Sequence, residues 1–222
     1  MVWPGTHTVV VPNPDLKPEK SLNYEAGSSF KADGVFGSDD HLFAKAVFFY
    51  DDVKDFIAPK AWFEPTTPPT VYYSSQNVGH VVRKGIELSG TYAAGQFSTS
   101  VSYGLLHAVD KETNERMNGI TPQSANLKLA YAFPAQAITV WYRAHWSKGG
   151  ESSVEDRATG KNLHFSSFLT HSLGAEWSPK VADLANLQAG IAVVNLFDKE
   201  YRMLNGSYGS GRGVRLWLSA QF

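Results

Sequence analysis

The sequence has 222 residues, no cysteine, 43% hydrophobic residues and a formal net charge of −1. It contains no run of about 20 apolar residues, which excludes membrane-spanning helices. A charge near zero gives no reason to expect bulk binding of nucleic acid. The first five residues, MVWPG, have neither the basic start nor the apolar segment of a signal peptide. If the protein is exported, we therefore expect its N-terminal part to be missing from this sequence.

Alternating apolar and polar segments follow one another along the chain, joined by connections that are short and long in turn. This alternation of connection lengths is typical of an outer-membrane β-barrel, which has tight periplasmic turns and long external loops. The predicted fold class is therefore all-β, an antiparallel transmembrane β-barrel. The short turns lie at 93–96 and 133–136, and the long polar stretches at 59–70, 109–119, 148–163 and 198–212.

In chain order, residues 1–19 are predicted to be an external loop segment, and residues 20–222 to be strands and loops. A strand that crosses a bilayer needs about 9–11 residues, apolar toward lipid and polar or small toward the lumen. The nine predicted strands are 20–32, 41–58, 71–93, 97–108, 121–133, 137–147, 164–178, 186–196 and 211–222.

The alternation is clearest in 97–108, where Phe97, Val101 and Leu105 share one face and Ser98 and Ser102 the other. A soluble sandwich would also alternate, but its usual strand has only about 5–6 residues. No stretch keeps the 3.6-residue period of an amphipathic helix. The pattern therefore favours the membrane barrel.

The number of strands carries a further expectation. If the short turns are periplasmic, 211–222 runs down to the periplasm and 20–32, nine strands earlier, also runs downward. Single-chain bacterial barrels have an even number of strands and bring both chain ends to the periplasm. We therefore expect a missing N-terminal part that contributes at least one strand.

Five ordered motifs resemble TonB-dependent outer-membrane receptors. They span residues 13–222, so the resemblance covers nearly the whole chain. The motifs are 13–27 (NPDLKPEKSLNYEAG), 48–57 (FFYDDVKDFI), 76–79 (QNVG) with 85–88 (GIEL), 195–201 (NLFDKEY), and 211–213 (GRG) before a strand ending in Phe222.

The resemblance implies that residues 1–222 are the C-terminal part of a barrel of about 22 strands, with the plug domain absent. It implies TonB-dependent uptake of an iron complex across the bacterial outer membrane, with TonB acting through the missing plug. It also implies that the barrel assembly machinery recognises the terminal Phe222. No resident cofactor is expected, because the iron complex would be cargo. The resemblance does not decide whether the cargo is a siderophore, haem or cobalamin.

The resemblance also indicates candidate ligand-binding residues. Haem receptors of the family often carry an iron ligand just before the NPDL motif, and here that place holds His7, six residues before Asn13. Neutral imidazole is a suitable axial ligand for haem iron, although a solvated loop histidine is the simpler interpretation. Trp62, Tyr72 and Tyr73 flank the second long loop, where they could stack on a cargo or form an interfacial aromatic girdle.

Motifs of enzymes are not found. The seven histidines show neither HxxxH nor HExxH spacing, and the glycines of 206–213 join two strands rather than opening a helix. We therefore expect no enzyme. The alternative functions are a passive porin-like or structural outer-membrane barrel and, from a different class, a soluble carbohydrate-binding sandwich.

Overall fold

The computed structural model describes residues 7–64, 67, 70–155, 159–180 and 186–221. These residues form strands almost throughout, with one short 3-10 turn at Pro134–Gln136. No helix in this part of the chain has the length and apolar character needed to cross a membrane. The strands are β1 (His7–Val10), β2 (Lys20–Asp33), β3 (Asp40–Glu64), β4 (Thr70–Ala94), β5 (Phe97–Asp110), β6 (Gln123–Phe133), β7 (Ile138–Ser147), β8 (Gly150–Glu155), β9 (Asn162–Phe165), β10 (Phe168–Trp177), β11 (Asn186–Val194) and β12 (Gly213–Gln221).

Nine of these strands pair in one sheet, in the order β12-β11-β10-β7-β6-β5-β4-β3-β2. The pairs β5–β6, β6–β7, β7–β10, β10–β11 and β11–β12 are antiparallel. β1 pairs with β4 in parallel, and β8 and β9 form a separate antiparallel pair. The predicted nine-strand meander is therefore confirmed, because each predicted strand corresponds to one strand of this order.

The short turns have local causes. Gly95, between β4 and β5, has a φ of +55°, and a tight hairpin needs such a positive φ, which glycine adopts at no steric cost. Between β6 and β7, Ala137 has a φ of +54° and its N–H donates to the carbonyl of Pro134 at 3.2 Å. Before β3, the buried carboxyl of Asp40 accepts hydrogen bonds from the N–H groups of Val35 and Phe36, each at 2.7 Å.

The outward face of the strands remains apolar and uncovered. In β12, Val214, Leu216 and Leu218 are 67%, 72% and 75% exposed. Ile191 in β11 and Val101 in β5 are each 50% exposed. Only eight apolar residues of the described part are buried, six of them Val or Ala, so no sandwich core is present. A sheet with this face suits a lipid environment.

Three polar segments predicted as loops contain strands. Within 1–19, residues 7–10 form β1; within 59–70, β3 continues to Glu64; and 148–163 contains β8 and the start of β9. The strand predicted at 164–178 is also interrupted, since β10 begins only at Phe168. Strands outside a bilayer need no apolar face, so their polar composition resembles that of loops.

The chain divides into two compact units. The first unit consists of Met1–Tyr24, Phe49–Lys84 and Ala108–Met117, and the second of Glu25–Phe48, Gly85–His107 and Asn118–Phe222. The predicted ligand-binding residues His7, Trp62, Tyr72 and Tyr73 belong to the first unit. The 195–212 loop, which joins β11 to β12, belongs to the second.

Candidate ligand-binding site

The β1–β4 pair brings three of the predicted residues onto neighbouring strands. His7 pairs with Thr70, Val9 with Tyr72, and Val10 with Tyr73. The Tyr73 side chain is 43% exposed and that of Tyr72 is half-buried. The parallel pairing thus places the segment before NPDL beside the tyrosines that open β4.

The remaining predicted residues are only partly described. The backbones of His7 and Trp62 belong to β1 and β3, and their side chains lie outside the described part of the chain. Phe222 lies outside the described residues altogether. The iron-ligand role of His7, the cargo contacts of Trp62 and the assembly role of Phe222 therefore stay predictions.

Two asparagines hold the NPDL segment against β4. The Asn13 amide donates to the carbonyl of Ser75 at 3.0 Å. The Asn77 side-chain oxygen accepts from the N–H of Lys17 at 2.8 Å, while its amide donates to the carbonyls of Lys17 at 2.9 Å and Asp55 at 2.6 Å. The NPDL and QNVG motifs therefore contact each other, and their asparagines satisfy backbone groups.

A buried carboxyl anchors β3 to its neighbours within the first unit. Asp51 is 5% exposed and accepts hydrogen bonds from the Ser21 hydroxyl at 2.5 Å and from Arg83 Nε at 2.9 Å. Asp51 lies in a strand of 25 residues, beyond the roughly 9–11 that cross a bilayer from Asp40 onward. Burial alone would raise its pKa, but the bonds from Ser21 and Arg83 outweigh burial and lower the pKa below the ordinary value.

A histidine–carboxylate contact lies in the same unit. His80 Nε2 is 2.7 Å from Asp52 Oδ1, with both side chains partly exposed. Among the described residues, no three His, Asp or Glu side chains come together in a group that could hold a metal ion. The polar side chains of this unit mainly cross-link its strands.

In the second unit, two side chains of the NLFDKEY motif, those of Asn195 and Asp198, hold the 195–212 loop together by hydrogen bonds. We call these two residues the loop clamp. The buried Asn195 side chain accepts from the N–H of Lys199 at 2.9 Å and donates to the carbonyls of Lys199 and Ser210, at 2.9 and 3.0 Å. The Asp198 carboxyl accepts from the N–H of Arg212 at 2.7 Å. Asn195 and Asp198 have φ values of +49° and +52°, a conformation that Asn and Asp tolerate better than other side chains. The loop is therefore closed on itself.

The clamped loop borders a cleft of about 730 Å³, which we call the loop cleft, lined by residues 164–168 and 198–202 with Tyr208, Gly209 and Gly211. Its volume is in the range of ordinary small-molecule sites, about 300–1,000 Å³. The sequence analysis missed this cleft. The available signal was the aromatic set Phe165, Phe168, Tyr201 and Tyr208 around a single arginine, Arg202, but those residues are up to 43 positions apart.

Comparison with known proteins gives the same picture along most of the chain. A family model described as TonB dependent receptor-like, beta-barrel matches residues 3–196. The chain is 26% identical over 210 residues to Heme/hemopexin utilization protein C of Haemophilus influenzae strain 86-028NP, covering 93% of this chain and 29% of the relative. It is 24% identical over 215 residues to the Hemin receptor of Yersinia pestis, covering 96% of this chain and 30% of the relative.

A solved structure shows the same fold. The FrpB iron transporter of Neisseria meningitidis (F3-3 variant) superimposes with a TM-score of 0.65 at 21% identity, covering 94% of this chain and 31% of that chain. This chain thus spans about a third or less of each protein that it resembles here.

Proposed function

Because this chain belongs to the TonB-dependent receptor β-barrel family, we propose that it forms the C-terminal part of an outer-membrane receptor that takes up an iron complex. The family consists of outer-membrane β-barrel proteins. The observation that carries the proposal is the match over residues 3–196, together with the uninterrupted pairing of nine strands. The Hemin receptor of Yersinia pestis, which is similar over 96% of this chain, favours this function over a passive or purely structural barrel.

The alternation of short and long connections supports an orientation for the chain. The 93–96 and 133–136 turns would face the periplasm, and the 195–212 loop would face the outside. β3 and β4 have 25 residues each, more than twice the 9–11 or so that a bilayer requires. Their surplus length would extend above the external surface, where the β1–β4 pair could meet the cargo.

The proposed cargo is haem, with a ferric siderophore as the competing choice. Two relatives over more than nine-tenths of this chain are named as haem or hemin proteins. His7 lies at the start of β1 beside Thr70, in the segment where the family resemblance predicts a haem ligand. Energy would come from TonB through a plug domain, and Phe222 would serve the barrel assembly machinery.

A growth experiment tests the proposed function. The complete receptor that contains this chain is expressed in a strain that lacks its own haem receptors, with and without a working TonB. Growth on haem as the sole iron source is expected only when TonB is active. Growth on a ferric siderophore but not on haem would mean that the cargo is a siderophore. TonB-independent growth would indicate a passive pore.

A further inference from the structure

Among the residues that the structure describes, no ion pair is found for Arg202, an arginine of the loop cleft. The Arg202 guanidinium lies 4.0 Å from the ring centroid of Tyr208 and 5.6 Å from that of Phe165. The ion pairs found among the described residues join other groups and leave Arg202 out. A guanidinium carries five N–H donors in a planar fork, and this one is half-buried beside the rings of Tyr208 and Phe165. A half-buried guanidinium of this kind is suited to donate hydrogen bonds to an anionic group of a bound ligand.

The cleft is not cationic as a whole. Its lining carries Lys199 and Arg202 against Asp198 and Glu200, together with the exposed His164. The Asp198 carboxyl already accepts the N–H of Arg212. A preference for anionic ligands must therefore come from the geometry of the Arg202 guanidinium rather than from the net charge of the cleft. The guanidinium can form two parallel hydrogen bonds with a carboxylate.

Two of the aromatic rings that line the cleft, Tyr201 and Phe168, pack against each other. The Tyr201 ring stacks on Phe168 with centroids 4.1 Å apart and planes 27° apart. Tyr201 also lies against Gly209, where a Cβ atom would overlap the ring. The Tyr208 ring is 65% exposed, so it offers surface to a flat ligand. Exposed ring surface of this kind favours a planar aromatic molecule, because a tyrosine side chain has few rotatable bonds and loses little rotamer freedom when a ring stacks on it.

The loop that borders the cleft is held by its own hydrogen bonds. Asn195 and Asp198 clamp the loop, and Leu204, at its tip, is 5% exposed. Within the loop the N–H of Gly209 donates to the carbonyl of Tyr201 at 2.9 Å, and that of Met203 to Ser207 at 2.9 Å. A preorganised site avoids the ordering cost of a mobile loop.

We propose that the loop cleft binds a planar aromatic carboxylate, with the carboxylate on the Arg202 fork and the flat ring against Tyr208 and Phe165. The identity of such a ligand as cargo rests on the proposed function: a porphyrin propionate and the aryl carboxylate of a siderophore building block share this chemistry. The cleft then holds the anionic edge of the cargo by contacts that do not involve its iron.

Metal-free protoporphyrin IX tests the cleft independently of iron ligation. The purified complete receptor is titrated with it by fluorescence, as wild type, Arg202→Gln and Arg202→Lys. We expect Arg202→Gln to weaken affinity about tenfold, the effect of losing a charged hydrogen-bonded pair. Arg202→Lys keeps the charge without the fork and should fall between the two. The matched control is Arg212→Gln in the same loop, whose side chain does not line the cleft; its affinity should equal wild type.

Two further ligands separate the contributions of charge and ring size. Protoporphyrin dimethyl ester lacks the carboxylates and should bind wild type as weakly as the acid binds Arg202→Gln. Salicylate, a single-ring carboxylate, reports whether the smaller aryl carboxylate suffices. Equal affinity of acid and ester, or of wild type and Arg202→Gln in a heat-modifiable folded receptor, overturns the proposal. The proposal is also overturned if the wild-type receptor binds neither protoporphyrin IX nor salicylate.

The outcomes also separate this proposal from the proposed function. TonB-dependent growth on haem with an Arg202→Gln receptor of unaltered affinity rejects the cleft alone. Arg202-dependent binding of protoporphyrin by a receptor that supports no growth on any iron complex retains the cleft and rejects the transport function.

Discussion

At the scale of single residues, the positions in and beside the sequence motifs divide into two kinds. Asn13, Asn77 and Asn195 use their amides to satisfy backbone groups of distant segments, so they shape the loops. His7 is the residue for which the family resemblance suggests a direct role with cargo, and only its backbone is described, in β1. The two kinds of residue call for different measurements.

If the receptor binds haem, His7 should act through its imidazole. His7→Ala is expected to weaken haem affinity and shift the absorption spectrum of the bound haem, because an axial ligand is lost. His7→Tyr supplies another iron ligand and should restore part of the affinity. His107→Ala, an exposed histidine of β5, is the control. An unaltered spectrum and affinity in His7→Ala would remove the ligand assignment even for a proven haem importer.

The Asp51 carboxyl should make the first unit sensitive to acid. Its pKa is lowered in the fold, so its stabilising contribution is fully present above the ordinary value of about 3.9. The contribution is lost as the pH falls through the lowered pKa. Asp51→Asn should therefore destabilise the receptor at neutral pH, by about 1–3 kcal/mol, and remove this part of the acid dependence.

Urea unfolding between pH 3 and pH 7 measures the Asp51 effect, with amide exchange reporting on β3. The exposed Asp15→Asn serves as the matched control. A mutant with the same midpoint as wild type at neutral pH would mean that Asp51, Ser21 and Arg83 contribute nothing to stability.

At the scale of elements, aromatic residues cover glycines on neighbouring strands. Trp141 of β7 lies over Gly174 of β10, its cross-strand partner. Trp217 of β12 lies over Gly190 of β11 in the same way. Because glycine has no side chain, each indole can lie flat on the neighbouring backbone and cover it. These pairs fix the register of β7 with β10 and of β11 with β12.

Filling one of these glycine positions should therefore destabilise the sheet. A Cβ at Gly174 would overlap the Trp141 ring and lie 2.9 Å from the carbonyl oxygen of Ile191. We expect Gly174→Ala to cost about 1–3 kcal/mol and to shift the tryptophan emission. Gly104→Ala is the control, since its Cβ would meet only Ser124 Oγ at 3.7 Å. Equal urea midpoints for the two variants would contradict the covering role of Trp141.

At the scale of the whole molecule, the sheet has two ends. β2 and β12 are the terminal strands of the nine-strand order, and an open strand edge in lipid leaves backbone groups unpaired at several kcal/mol each. We expect the 222-residue chain, refolded alone in detergent, to migrate identically on a gel with and without boiling. A heat-modifiable, protease-resistant monomer would show that the chain closes into a barrel by itself.

The sequence alone determined the fold class, the nine strands of the main sheet order and the alternation of apolar and polar residues along them. These features are local: side chains alternate with a period of two, and the length of a connection limits which strands can be neighbours. Phe97 and Val101 could therefore be assigned to the apolar face, where they are 37% and 50% exposed. Gly95 likewise marked its turn within a few residues.

Only the tertiary structure decided the parallel β1–β4 pair, the β8–β9 pair inside a polar stretch, and the loop cleft. Each depends on residues far apart in the chain, such as His7 and Thr70 or Phe165 and Arg202. The sequence pattern of either segment alone does not indicate that the two segments contact each other. Polar strands outside the bilayer lack an apolar face and so resemble loops. Arg202, which has no ion pair among the described residues, could be recognised as a cation beside aromatic rings only after the two loop segments had been brought together in space.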